Sequence, residues 1–263
     1  MLRQSAVLRT VQERCRVQEI TQGLIIKEQT VGESDRLVTV LTKDEGVIRA
    51  FARRAKTLKD AKHAGTGLLC YSKLKISKGK TTYMINEAFP IEIFFELRQD
   101  VTALALAQYF CQLAGELVPE GVEAEVYLRL VLNALHFLCK GTRPQAMLKA
   151  VVEMRMLSEA GFMPNVAYCA SCGAYESPRM YFKISRGELY CKDCYLDNGD
   201  PCAALSPAAL TAMRHIVYSD FEKIFSFSLT PGAQRELASA SEAYTLHILQ
   251  KRPKTLDFYY SLL

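Results

Sequence analysis

The chain has 263 residues, 49% hydrophobic and 23% charged, with a formal net charge of +5. That length favours two domains, and the composition is globular rather than disordered or collagenous. No unbroken apolar run is long enough for a membrane span, since the best candidate, TALALAQYFCQLAGELV, is interrupted by Gln108, Gln112 and Glu116.

Residues 1–19 carry Arg3, Arg9, Arg14 and Arg16 but lack the apolar core of a secretory signal, so they are expected to form a short amphipathic or frayed extension. From about Val17 to Phe95 the pattern is that of strands. GLIIKEQ, RLVTVLT, VIRAFARR, LKISK and TTYMINEAF are separated by turn residues such as Lys43-Asp44-Glu45-Gly46 and Ser77-Lys78-Gly79-Lys80. Five short strands in so few residues predict a small barrel or sandwich, with the polar stretch AKTLKDAKHAGTG leaving room for an extra helix or loop between the third and fourth.

Positive charge collects in this part. Residues 1–100 hold 18 basic against 12 acidic side chains, whereas residues 101–263 hold 15 against 16. The run RAFARRAKTLKDAKH places Arg49, Arg53, Arg54, Lys56, Lys59 and Lys62 against Asp60 alone, with Arg36, Lys73 and Lys75 on neighbouring strands. A charge run by itself describes a solvated face, but a groove lined by so many cations would follow a nucleic-acid backbone. The aromatic residues that could stack bases here are few, Phe51, Tyr71, Tyr83 and Phe89, each as readily a core residue, so the expected binding is phosphate-led and tolerant of sequence.

Beyond residue 98 the period becomes helical. Leu106, Phe110, Leu113 and Leu117 form one stripe, residues 124–139 are apolar on nearly every face and are expected to form a central, buried helix, and a third helix runs from about Gln145 to Glu159, ending at Gly161. Further helices are expected to start at Ser206-Pro207 and Thr230-Pro231, each an N-cap hydroxyl followed by a proline.

Between them lie Cys169, Cys172, Cys191 and Cys194 in two C-x2-C pairs, joined by a stretch that reads as a hairpin, MYFKIS then RGE then LYC. Their spacing suits one tetrahedral Zn2+, and four thiolates leave no open position for catalysis. Arg179, Lys183, Arg186 and Lys192 face Glu176, Glu188 and Asp193 in number, so with thiolates and metal the module is slightly negative and a poor grip on phosphate. Its expected role is folding stability. Cys15, Cys70, Cys111, Cys139 and Cys202 are scattered, as in a reducing compartment. Ser77-Lys78-Gly79-Lys80-Thr81-Thr82 lacks the first glycine of a phosphate loop, Leu74 standing in its place, and the four histidines form no set with a nucleophile. No enzymatic site is visible.

GLIIKEQTVGESDRLVTVLTKDEG, VIRAFARRAK, VEMRMLSEAGFMP, the cysteine quartet and LSPAALTAMRHI, in that order, resemble the bacterial DNA repair and recombination mediator family RecO. The resemblance implies an α+β multidomain protein: extension 1–19, an oligonucleotide/oligosaccharide-binding (OB-fold) barrel over 20–98, and an α-helical domain over 99–263 with a zinc module, 166–197, inserted. It also implies a non-enzymatic, cytoplasmic and nucleoid-associated protein that binds single- and double-stranded DNA and anneals complementary strands. Such proteins work with RecR, assist RecA loading on DNA coated by single-stranded-DNA-binding protein, and can bind that protein's acidic tail. By position, Arg36 and the cluster Arg49 to Lys62 match the family's DNA-facing residues. The other reading is an interaction scaffold, in which the helical and zinc parts act and the barrel binds protein.

Overall fold

A computed structural model describes residues 18–56, 62–79 and 82–263. The chain divides into two compact units, one comprising residues up to Phe94 with Val118–Leu128, the other Phe95–Leu117 with Arg129–Leu263.

The first unit is built on β1 (Gln18–Val31), β2 (Asp35–Thr42), β3 (Val47–Ala52), β4 (Cys70–Lys78) and β5 (Tyr83–Ile93), closed into a barrel in the order β1-β2-β3-β5-β4. Long β1 pairs with both β2 and β4, and a short parallel contact, Ala50 with Tyr83 and Phe51 with Met84, shuts the barrel. This is the topology of an OB-fold. Alternation sends Val38, Val40, Ile48, Ala50, Leu74 and Ile76 inward, where they are at most 1% exposed. A bulge between Ile25 and Lys27 shifts β1 by one residue, turning Lys27 outward opposite Thr39. The stretch expected to carry an extra element holds a single turn, α1 (Lys62–Gly65), whose Gly65 packs so near Ala88 that a Cβ would lie 2.9 Å from it.

The loop Val118–Ala124 comes back onto the β2–β3 turn. Gly46 adopts φ 65°, and Thr42 closes the turn by donating N–H and hydroxyl to Gly46 O at 2.8 and 2.7 Å. Val47 N donates to Pro119 O at 3.3 Å, Gly121 N to Glu45 O at 3.0 Å and Ala124 N to Lys43 O at 2.7 Å. Lys43 also lies 3.3 Å from Glu125.

The second unit holds α2 (Val101–Leu117), most of α3 (Glu125–Lys140), α4 (Gln145–Leu157), α5 (Pro207–Tyr218), α6 (Pro231–Leu249) and α7 (Lys254–Tyr260). Asp100 caps α2, accepting from Thr102 N and Ala103 N at 2.9 and 3.0 Å, while Ser206 and Thr230 cap α5 and α6 with proline following, as expected. The most buried helix is α4, not α3 as its apolar sequence suggests, because α3 exposes Arg129, Asn133, His136 and Lys140 along one face; α4 ends in a wider turn, Ser158–Phe162, where Gly161 takes φ 90°. Its buried charges are paired: Lys149 Nζ is 2.8 Å from both Glu153 and Glu242, and Glu153 also accepts from Tyr109 and Ser241 at 2.7 Å. The hairpin read from the cysteine region is β7 (Met180–Lys183) and β8 (Glu188–Cys191). Two strands not foreseen, β6 (Asn165–Cys169) and β9 (Cys202–Leu205), extend it to a sheet in the order β6-β8-β7-β9.

Candidate nucleic-acid interface and metal centre

The cations expected to form one groove are divided by the barrel. On β3, Ile48, Ala50 and Ala52 point inward, so Arg49 and Phe51 point outward, and Arg53, which opens the following turn, is exposed. Arg49 lies opposite Thr39, itself opposite Lys27, and Phe51 lies opposite Leu37, itself opposite Gln29. The wall of β1, β2 and β3 therefore presents an outward row of Lys27, Thr39 and Arg49 beside one of Gln29, Leu37 and Phe51. Arg49 and Arg53 are exposed and Phe51 is half-buried, an arrangement of cations around an aromatic face.

Arg54 and Lys56 follow in the turn leaving β3, both exposed. The turn is tied to the β1–β2 connection: Arg54 N donates to Asp35 Oδ1 at 2.8 Å and Lys56 N to Ser34 O at 2.9 Å. Arg54 takes φ 56°, a conformation costly for a side chain with a Cβ and held here by those two bonds. Lys62 begins α1 and is half-buried, and its carbonyl accepts from Thr66 Oγ1 at 2.7 Å. Lys59 lies outside the described residues.

Arg36 faces the other way. It shares the inward parity of Val38 and Val40, is 8% exposed, and donates to His63 O at 2.7 Å and Thr66 Oγ1 at 3.1 Å. With Nε 2.9 Å from Glu28, its guanidinium joins β1, β2 and α1 from within. Arg36, expected to be one of the DNA-facing residues, is thus largely enclosed and held by protein acceptors on Nη1 and Nε. Lys73 and Lys75 do point outward, but from β4, which adjoins neither β2 nor β3. Lys75 is 3.2 Å from Glu87 on β5. They belong to a separate wall. Lys27 is the residue of this wall that charge-run reading passed over, and strand parity beyond the bulge identifies it, whereas Phe51 was among the aromatic candidates of the sequence.

In the cysteine module, β6 and β8 carry Cys169 and Cys191 at their ends, and the turns that follow supply Cys172 and Cys194. The four sulfurs all lie within 4.8 Å of one another, and Cys172 Sγ is 3.7 Å from Cys191 Sγ. A tetrahedral metal with bonds of about 2.3 Å needs sulfurs roughly 3.8 Å apart, so the set could hold one ion. Cys191 N donates to Cys169 Sγ at 3.3 Å. Burial opposes ionisation of Cys169, but N–H groups of Cys172, Cys191 and Ser171 bring its thiol down to about 6. Arg214 on α5 anchors the first knuckle, donating to Val166 O, Ala167 O and Tyr175 O at 2.8, 2.8 and 2.6 Å with its guanidinium 4.0 Å above the Tyr175 ring. At the hairpin turn, Gly187 has φ 64°, and a Cβ there would come within 2.9 Å of the Tyr244 hydroxyl. No described helix is long and apolar enough to cross a membrane.

Comparison with known proteins gives matches at both ends of the chain. Residues 17–94 match the family model for the recombination protein O N terminal, and residues 98–257 that for the recombination protein O C terminal. The DNA repair protein RecO of Acetivibrio thermocellus is 35% identical over 90% of this chain and 94% of its own length. Proteins of the same name from Symbiobacterium thermophilum and Caldicellulosiruptor bescii are each 29% identical, over 90% and 91% of this chain and 94% and 96% of their own lengths.

Proposed function

The chain belongs to the RecO family, and on that premise we propose that it is a DNA repair and recombination mediator acting by binding rather than by catalysis. In this reading it binds single- and double-stranded DNA, anneals complementary strands and, with RecR, assists RecA loading on DNA coated by single-stranded-DNA-binding protein. It would work in the cytoplasm at the nucleoid, with that protein's acidic tail as a further partner of the helical unit.

The observation that carries the proposal is the outward pair Arg49 and Phe51 on β3, bordered by Lys27 and followed in the turn by exposed Arg53, Arg54 and Lys56. In OB-folds the face of the second and third strands is the usual oligonucleotide surface. Cations there neutralise phosphates whatever the bases, and Phe51 offers one ring for stacking. Arg36 is assigned to the frame beneath this wall, not to the contact. The metal is proposed to be one structural Zn2+ per chain on Cys169, Cys172, Cys191 and Cys194, a set that fixes the β6–β8 end of the module and leaves no ligand position free. Fluorescence-monitored annealing of complementary strands, with and without single-stranded-DNA-binding protein, tests the proposal. Acceleration that disappears in an Arg49→Glu/Arg53→Glu variant is expected, and no acceleration by the unaltered protein would overturn it.

A further inference from the structure

The loop 195–201 joins the second cysteine knuckle to β9, and at its bend Asn198 and Gly199 are both exposed. Lys183, the last residue of β7, reaches this loop although it is only 7% exposed itself. Its Nζ donates to Asn198 Oδ1 at 2.8 Å and lies 3.5 Å from Asp200 Oδ2. Asp200 N donates to the same carboxamide oxygen at 3.4 Å, and Asp200 Oδ2 accepts from Asn198 Nδ2 at 3.0 Å. These partners fix which end of the carboxamide is oxygen, since an ammonium only donates and a carboxylate only accepts. The next backbone N–H, that of Gly199, donates to Asp197 Oδ1 at 3.2 Å. Gly199 has φ 81°, and a Cβ there would meet nothing within 4 Å, so its nitrogen is open on that side.

Together these contacts supply what attack of a backbone nitrogen on the preceding carboxamide needs. Lys183 Nζ and Asp200 N stand where negative charge develops on Oδ1 as Cγ becomes tetrahedral. Asp197 Oδ1 is within hydrogen-bond reach of the proton that the attacking nitrogen must lose. Glycine is the residue that hinders the approach least, having no side chain beside that nitrogen. The chain's other asparagines, Asn86, Asn133 and Asn165, precede Glu87, Ala134 and Val166, each of which carries a Cβ. An almost buried ammonium aimed at an exposed carboxamide sets Asn198 apart further, because a loop bend requires no such partner.

We propose that Asn198–Gly199 is a self-modification site, at which the folded chain converts its own asparagine to aspartate and isoaspartate. Gly199 N bonds to Asn198 Cγ, Asp197 takes the N–H proton, and the Cγ–Nδ2 bond breaks, the nitrogen leaving with that proton as ammonia. Water then opens the succinimide ring at either carbonyl, so ammonia is exchanged for water overall. The new carboxylate still accepts from Lys183 but no longer donates to Asp200. Isoaspartate also adds a methylene to the backbone leading into β9, whose Cys202 pairs with Lys183, so the change acts on the edge strand of the sheet. In the full chain kept folded at neutral pH, peptide mass spectrometry and labelling by an isoaspartate-specific methyltransferase are expected to show conversion at residue 198. Its rate should be several-fold higher than in the same chain unfolded in guanidinium chloride, where the dipeptide remains but Lys183 is withdrawn. Lys183→Met should slow the folded rate about tenfold, and Asp197→Ala, at an exposed position where folding is not at stake, should slow it similarly. Neither should change the unfolded rate. A folded rate no higher than the unfolded one, or one that either variant leaves unchanged, overturns the proposal. A lasting loss of ammonia with Lys183 joined to Asn198 overturns it as well, by making the lysine the nucleophile.

Discussion

Arg36 Nε lies 2.9 Å from Glu28 Oε1, with the two side chains 10% and 27% exposed, so a basic residue from the most cationic part of the chain serves as an internal tie. Replacing Arg36 with Ala takes the cation from Glu28, leaving its carboxylate the Leu68 N–H at 3.0 Å, and removes the donors to His63 and Thr66. A loss of about 3 kcal/mol is expected, measured by urea unfolding, whereas Arg49→Ala on the open face should change stability by no more than about 0.5 kcal/mol.

DNA affinity is expected to respond in the reverse order. Arg49→Glu and Arg53→Glu should weaken binding to all sequences alike, and each lost phosphate contact should lower the slope of log affinity against log salt by roughly 0.7–0.9. Lys73→Glu, on the separate β4 wall, should leave the slope unchanged. Anisotropy titrations at several salt concentrations check this, and an equal effect of Lys73→Glu would move the interface away from β3.

Removal of metal should loosen the second unit. Cys172→Ser is expected to abolish stoichiometric zinc and to lower the stability of the sheet β6-β8-β7-β9 by several kcal/mol, within the apparent 10–16 kcal/mol of binding in small zinc modules, roughly. Elemental analysis and thermal melting read the two effects. A folded variant with full metal content would contradict the assignment of the quartet.

Glu242 gives the helical unit an acid-sensitive element. Burial works to raise its pKa, but Lys149, Tyr260 and Arg252 outweigh this and hold it below its ordinary 4.5. A carboxylate depressed in the folded state stabilises it above its unfolded pKa and loses that contribution as pH falls through the lower, folded value. Melting temperature should therefore fall less steeply below about pH 4.5 in Glu242→Gln than in the unaltered protein. Parallel curves would show that the pairing contributes nothing to acid stability.

Two glycines separate backbone strain from close approach. Gly32 and Gly46 both have positive φ, 60° and 65°, but a Cβ at Gly32 meets nothing within 4 Å whereas one at Gly46 would lie 2.0 Å from Pro119 O. Gly32→Ala is expected to cost about 1–2 kcal/mol and Gly46→Ala distinctly more, because the latter also displaces the returning loop. Chemical denaturation of the two variants gives the comparison.

Most elements were legible because local chemistry dictates them. Hydroxyl-proline pairs at Ser206 and Thr230 begin helices, Gly161 ends one, and two C-x2-C knuckles flanking a hairpin place four sulfurs together. The site was less legible, since a run of cations in sequence is not a face in space. Arg36 has the parity of Val38 and Val40 and so turns inward, a signal present in RLVTVLT but masked by the run's overall charge. Lys73 and Lys75 have outward parity, but strand order, which no local pattern records, sets them on another wall. The bulge at Ile26 similarly hides Lys27, by reversing the alternation midway along β1. The short β6 and β9 owe their pairing to the hairpin between them, and little in their own four or five residues announces a strand.

The return of Val118–Leu128 to the β2–β3 turn makes the barrel unit discontinuous in the order of synthesis. Its strands are complete at Ile93, yet Val47 N, Glu45 O and Lys43 O acquire their partners only when Pro119, Gly121 and Ala124 have been made. At roughly 5–20 residues per second, the ribosome takes on the order of two to seven seconds to go from Phe94 to Leu128. During that interval the nascent barrel waits with one end unlatched, and α2 must be threaded out before the latch arrives. Folding of the first unit is thereby timed by translation of the second.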